Sequence, residues 1–164
     1  MAKTLFLIRH AHATVGSADD MSRPLSSRGR LAAQAVAQML SSRVTAPAGI
    51  FSSPAARALE TGRIVAQALG IPAGIIEIPE LYTGTEEAYF RALQLLPDAL
   101  RSALIIGHNP SIAGLASRLR ASGELLGDFE PAGTASLQFP GETWPELDWG
   151  LGQCRWFLNP NDGP

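Results

Sequence analysis

The chain has 164 residues, 46% of them hydrophobic, and a formal net charge of −2. That is enough apolar residue for one substantial core, so a single domain over residues 1–164 with one active site is expected, and no dense Lys/Arg tract supports nucleic acid or an anionic membrane as a partner. The only cysteine, Cys154, has no intramolecular partner, the apolar stretch after Met1 is too short for a signal peptide, and no run reaches membrane-spanning length; a soluble, cytoplasmic protein is expected.

Thr4 to Ile8 is a continuous apolar run that predicts a strand buried on both faces, with Arg9 and His10 at its carboxyl end. Ser26 is placed to cap a helix running to about Ser41, with Ala32, Ala35, Val36, Met39 and Leu40 on its inner face and Gly29 weakening its first turn. A short strand around Ile50 and Phe51 leads into Ser53-Pro54, read as a cap and first-turn proline, and a helix ending near Gly70 with Ala58, Gly62, Val65 and Leu69 inward. Gly74 to Ile78 predicts a strand, Thr85 to Leu96 a helix, and Ala103 to Ile106 a further buried strand. Asn109-Pro110 repeats the cap-plus-proline start for a helix carrying Ile112, Leu115, Ala116 and Leu119 and stopping before Gly123. Ala135 to Phe139 and Gln153 to Leu158 then alternate as short strands. The succession predicts a three-layer α/β/α sandwich on a mostly parallel mixed sheet, with at least one antiparallel strand added at the end. Trp144, Trp149 and Trp156 are expected to pack over the sheet edge.

In such sheets ligands bind beyond the carboxyl ends of the strands, and Arg9, His10, Arg57 and His108 all fall at those positions. Two arginines, two histidines and two helix N-termini suit a phosphoryl group, which takes bidentate donors on its oxygens and positive charge to match its own. A neutral imidazole can attack phosphorus and carry the phosphoryl group transiently, and His10, held by the preceding strand, is the candidate nucleophile. Arg9 and Arg57 would clamp the transferring oxygens, a protonated His108 would add a donor, and backbone N–H groups at Asn109 or Ser111 could contribute.

LFLIRHA, SSPAARALET and LIIGHNP resemble, in order and spacing, three signature blocks of the histidine phosphatase superfamily, also called phosphoglycerate-mutase-like. The short length and the segments RPLSSRGRLAAQAVA and PELYTG are further similar to the SixA-type phosphohistidine phosphatases. The resemblance implies a phosphoglycerate-mutase-like sheet, a phosphohistidine intermediate on His10, a phosphate pocket of Arg9, Arg57 and His108, and neither metal nor organic cofactor. It implies as substrate phosphohistidine in a phosphotransfer protein. A small phosphate ester of a sugar or nucleotide is the alternative, and a non-catalytic phosphate-binding module a third reading.

One position departs from the pattern. Where many members of the superfamily carry a glutamate that protonates an alkoxide leaving group, this chain has Thr83, and the register does not put Glu80, Glu86 or Glu87 in its place. A leaving imidazole can depart with a proton already on its ring, so the departure favours phosphohistidine over an ester. His12 is expected at the pocket rim, and Arg23 either reaches the substrate or pairs with Asp19 or Asp20.

Overall fold

Leu5 and Leu7 of β1 (Lys3–Arg9) face one layer of helices and Phe6 and Ile8 the other, and none is more than 1% exposed. A strand with two apolar faces belongs inside a sheet. β1 accordingly sits between two neighbours in a six-stranded sheet of order β3-β2-β4-β1-β5-β6, the others being β2 (Ala48–Ser52), β3 (Ile75–Glu77), β4 (Ser102–Gly107), β5 (Thr134–Phe139) and β6 (Gln153–Leu158). The first four strands of that order run parallel, and β5 runs antiparallel to β1 and β6. The computed structural model describes residues 2–16, 19–71, 74–122 and 126–160.

One face of the sheet is covered by α1 (Ser27–Leu40) and α2 (Ala56–Leu69). The other carries the short α3 (Glu80–Thr83), then α4 (Glu86–Gln94) and α5 (Ser111–Leu119). The expected three-layer α/β/α sandwich is thus what the chain forms. Each fully buried Leu, Ile or Phe between the layers contributes about 1.5–3 kcal/mol relative to exposure. Among the described residues no helix is long and apolar enough to cross a membrane.

Several local expectations are corrected. The inner stripe of α1 is Gly29, Ala33, Val36, Ala37 and Leu40, and Ala35 is exposed. The helix is rotated because its first turn lies against the chain just beyond β1, where a Cβ on Gly29 would overlap the carbonyl oxygen of His12. Gly29 therefore permits a close approach that any side chain would block. Ser26 does cap this helix, accepting from the Gly29 N–H at 3.0 Å.

α2 begins two residues later than Ser53-Pro54 suggested: Ala55 holds the cap position without a side-chain bond, and α5 likewise begins at Ser111 with Pro110 before it. Ser53 and Asn109 have other partners, described below. α4 is capped by Thr85 but ends at Gln94. β1 starts at Lys3, whose buried ammonium donates to the carbonyls of Asp98 at 2.6 Å and Leu100 at 2.7 Å and lies over the Trp144 ring. Of the three tryptophans, Trp156 on the edge strand β6 packs as expected, whereas Trp144 and Trp149 pack away from the edge. Trp144 is fully buried, Trp149 stacks on Phe90 at 4.2 Å, and Trp156 meets Phe6 at 6.0 Å.

Candidate active site

The register of β1 against β4 pairs Arg9 with Gly107, so the next residues, His10 and His108, leave the sheet side by side. The N–H of His10 continues the ladder to the Gly107 carbonyl at 3.1 Å. β1 leads into α1 on one face of the sheet and β4 into α5 on the other, so a crevice opens between these two strand ends. The imidazole centroids of His10 and His108 are 5.0 Å apart and tilted by 55°.

β2 ends beside them. Ser53 N–H donates to the Ile106 carbonyl at 3.0 Å, and the Ser53 hydroxyl lies 2.8 Å from Nε2 of His108. The same hydroxyl accepts from the Ala55 N–H at 3.2 Å, so it closes a turn just ahead of α2 and does not cap the helix. Arg57, the second residue of α2, is 5% exposed and brings Nη2 within 3.5 Å of His108 Nδ1. Arg9 Nη1 donates to the Phe129 carbonyl at 2.9 Å, and Asn109 Nδ2 donates to the same oxygen at 3.0 Å. Asn109 is thereby turned toward the 126–134 segment and does not cap α5. The Nε–H groups of Arg9 and Arg57 are buried without a partner among the described residues. Two cationic side chains with unspent buried donors beside two imidazoles have the chemistry to receive an anion.

The backbone sets the state of each ring. His10 Nδ1 is 2.7 Å from the Ala11 carbonyl oxygen, which can only accept, so Nδ1 carries the hydrogen and Nε2 is the free base. Burial, then the nearby His108, Arg57 and Arg9, push the His10 imidazole down to about 3. Burial and Arg57 likewise push His108 down to about 4. Both rings are neutral at pH 7. The His108 N–H donates to Tyr89 Oη at 3.2 Å, while that buried hydroxyl donates to the Leu81 carbonyl at 2.5 Å. Tyr89 thus ties the His108 backbone to α3.

A carboxylate at the rim was not foreseen as part of the site. Asp20 Oδ2 accepts from Arg57 Nη2 at 3.1 Å and from the Tyr82 hydroxyl at 2.6 Å, and its backbone oxygen accepts from Arg57 Nη1 at 2.8 Å. The Tyr82 and Arg57 bonds hold the Asp20 carboxyl at about 2, so it is ionised. Arg23 takes the second alternative expected of it, pairing through Nε with Asp20 Oδ1 at 3.1 Å and donating from Nη1 to the Thr14 carbonyl at 3.1 Å. The spacing of Asp20 and Arg23 was legible, whereas the reach of Arg57 across 37 residues was not. His12 is drawn aside by Ser26 Oγ at 2.7 Å.

The glutamates have partners or surroundings of their own. Glu86 and Glu87 are both held by Arg118, at 2.9 and 2.6 Å. Glu80 lines a separate apolar cleft of about 520 Å³ with Phe51, Ile76, Ile78 and Leu96. Thr83, at the end of α3, is exposed.

Comparison with known proteins gives this geometry a context. Residues 5–83 match the family model of the histidine phosphatase superfamily (branch 1). Phosphohistidine phosphatase SixA of Escherichia coli K12 is 27% identical over 155 residues, covering 92% of this chain and 94% of that protein. The solved structure of a SixA-type protein from Nakamurella multipartitia superposes with a TM-score of 0.84 at 27% identity, covering 98% of both chains. That of the protein histidine phosphatase SixA complexed with tungstate superposes at 0.80 and 26% identity, covering 96% of this chain and 97% of the other. In sequence, length and fold the chain is similar to the SixA-type members of the histidine phosphatase superfamily, and it is a phosphohydrolase.

Proposed function

We propose that the protein hydrolyses phosphohistidine through a covalent phosphoryl intermediate on His10. The observation that carries this reading is the His10 ring itself: a neutral imidazole, its Nδ1–H spent on Ala11 and its Nε2 lone pair free, 5.0 Å from His108 at the ends of two adjacent strands. The Nε2 lone pair attacks phosphorus and the bond to the departing nitrogen breaks, its electron pair returning to that nitrogen. If the departing ring enters protonated on its other nitrogen, it leaves neutral without an acid from the protein. The charge then rests on phospho-His10, whose Nδ1–H is held by the Ala11 carbonyl. Water attacks phosphorus in the second step, the pair returns to Nε2, and dihydrogen phosphate leaves.

Arg9 and Arg57 would hold the transferring oxygens, each with a buried Nε–H to give. His108, neutral in the empty site, would gain a proton as the phosphoryl charge arrives and donate to it. Asn109 would help through the same corner, and Arg23 stands behind Asp20 at the rim. The absence of a glutamate at Thr83, the pairing of Glu86 and Glu87 with Arg118 and the place of Glu80 in a separate cleft support a leaving group that needs no acid. A SixA relative along nearly the whole chain supports phosphohistidine as the donor group; on this reading a protein of the histidine phosphotransfer type carries it, in the cytoplasm, and one domain spanning 1–164 acts on it. The alternative, a small phosphate ester, is tested by the same assay.

Wild-type enzyme incubated with a phosphorylated phosphotransfer protein should acquire an acid-labile label, and His10→Ala should acquire none and lose turnover by about 10³-fold or more. Label and turnover surviving in His10→Ala would reject the mechanism. A strong preference for sugar or nucleotide phosphates over the phosphoprotein would reject the substrate.

A further inference from the structure

The rim of the site carries an anion of its own. Arg57 is 6% exposed at its side chain and Asp20 53%, so passing outward from the His10 ring one meets the buried guanidinium first and then the carboxylate. Asp20 is fixed from three sides: by Arg57 and Tyr82 on Oδ2 and by Arg23 on Oδ1. Tyr82 in turn sets its ring edge-on to His108 at 5.6 Å. A phosphoryl group on Arg57 therefore shares one guanidinium with a carboxylate. The carboxylate opposes a substrate whose charges are all negative, and Arg23 on its other oxygen offsets that only in part.

In-line attack by Nε2 puts the leaving group on the side of phosphorus away from His10, toward solvent and toward Asp20. Resting on the reading of the substrate given above, we propose that Asp20 is a specificity-determining residue, its carboxylate accepting the ring N–H of a protonated phosphoimidazole and so selecting N-phosphoryl over O-phosphoryl substrates. The protonated ring supplies both the donor and the positive charge that an alkyl or aryl phosphate lacks. The bond keeps the proton on the ring while the P–N bond breaks, so the imidazole departs neutral. The carboxylate neither gains nor loses a proton. Asp20 thus fills the place of the missing acid by holding a proton that the substrate brings.

The test compares Asp20→Asn with wild type on two probes, phosphoimidazole and para-nitrophenyl phosphate. The amide still accepts from Arg57 and Tyr82 but carries no charge. We expect kcat/KM for phosphoimidazole to fall about tenfold to a hundredfold, the worth of a hydrogen bond to a charged group, while KM for para-nitrophenyl phosphate falls and its turnover rises. A residue that merely positions Arg57 would move both probes together, and an unchanged ratio of the two overturns the assignment. If wild type prefers phosphoimidazole and Asp20→Asn keeps that preference, Asp20 alone is misassigned. If wild type turns over the aryl ester and not phosphoimidazole, the substrate reading itself falls, and this inference with it.

Discussion

The hydrogen bond from His10 Nδ1 to the carbonyl of Ala11, 2.7 Å long, joins a side chain to the very next residue and fixes which ring nitrogen is free. Because the acceptor is backbone, the tautomer does not depend on a second side chain.

That relationship predicts the titration of the ring. Nitrogen-15 NMR of the ligand-free protein should show His10 as the Nδ1–H tautomer at pH 7, with protonation delayed to about pH 3 by burial and the surrounding charges. A ring that titrates near 6.5, or one protonated on Nε2, would contradict the arrangement.

Stability should follow the same two rings. His10 titrates near 3 and His108 near 4 in the folded protein, against 6.5 in the unfolded chain. Below pH 6.5 the unfolded chain therefore takes up protons that the folded protein refuses. The contribution is complete above 6.5 and declines as pH falls toward 4, by up to about 1.4 kcal/mol per pH unit for each ring. Urea midpoints measured from pH 7.5 to 4.5 should fall, and His108→Gln should flatten the slope.

The fold was legible because its signals are local. Leu5 through Ile8 name a two-faced strand, and the apolar spacing of α5 names its inner side. What the sequence hid were contacts that depend on distant chain. Ser53 reads as a helix cap with no sign of His108 beside it, and Asn109 reads the same way until Phe129 offers a carbonyl. Gly29 reads as a flaw in a helix until the His12 backbone is seen against it. In the site, the two histidines and Arg57 carry a pattern in sequence, whereas Asp20 and Tyr82 become partners only through folding.

Arg57 tests the clamp. A lysine has one ammonium and cannot bond both the backbone and the carboxylate of Asp20 while facing His108, as the guanidinium does. Arg57→Lys should lower kcat/KM by about 10²–10³-fold and weaken inhibition by inorganic phosphate. Kinetics within a few-fold of wild type would remove Arg57 from the site.

Tyr89 tests the support beneath His108. Tyr89→Phe leaves the His108 N–H and the Leu81 carbonyl without their shared hydroxyl, and should cost about 1–3 kcal/mol in denaturant unfolding. A loss of turnover should accompany it, since His108 is then released at its backbone.

The carbonyl of Phe129 serves Arg9 and Asn109 at once, one oxygen joining the ends of β1 and β4 to a segment that is neither helix nor strand. No substitution can remove that atom. Exchanging Phe129 for another large apolar residue leaves both bonds in place, whereas one residue inserted nearby moves the oxygen away from both. The segment is therefore indifferent to spelling and strict about length. A survey of point substitutions would pass over it, and a survey of single-residue insertions would find it at once.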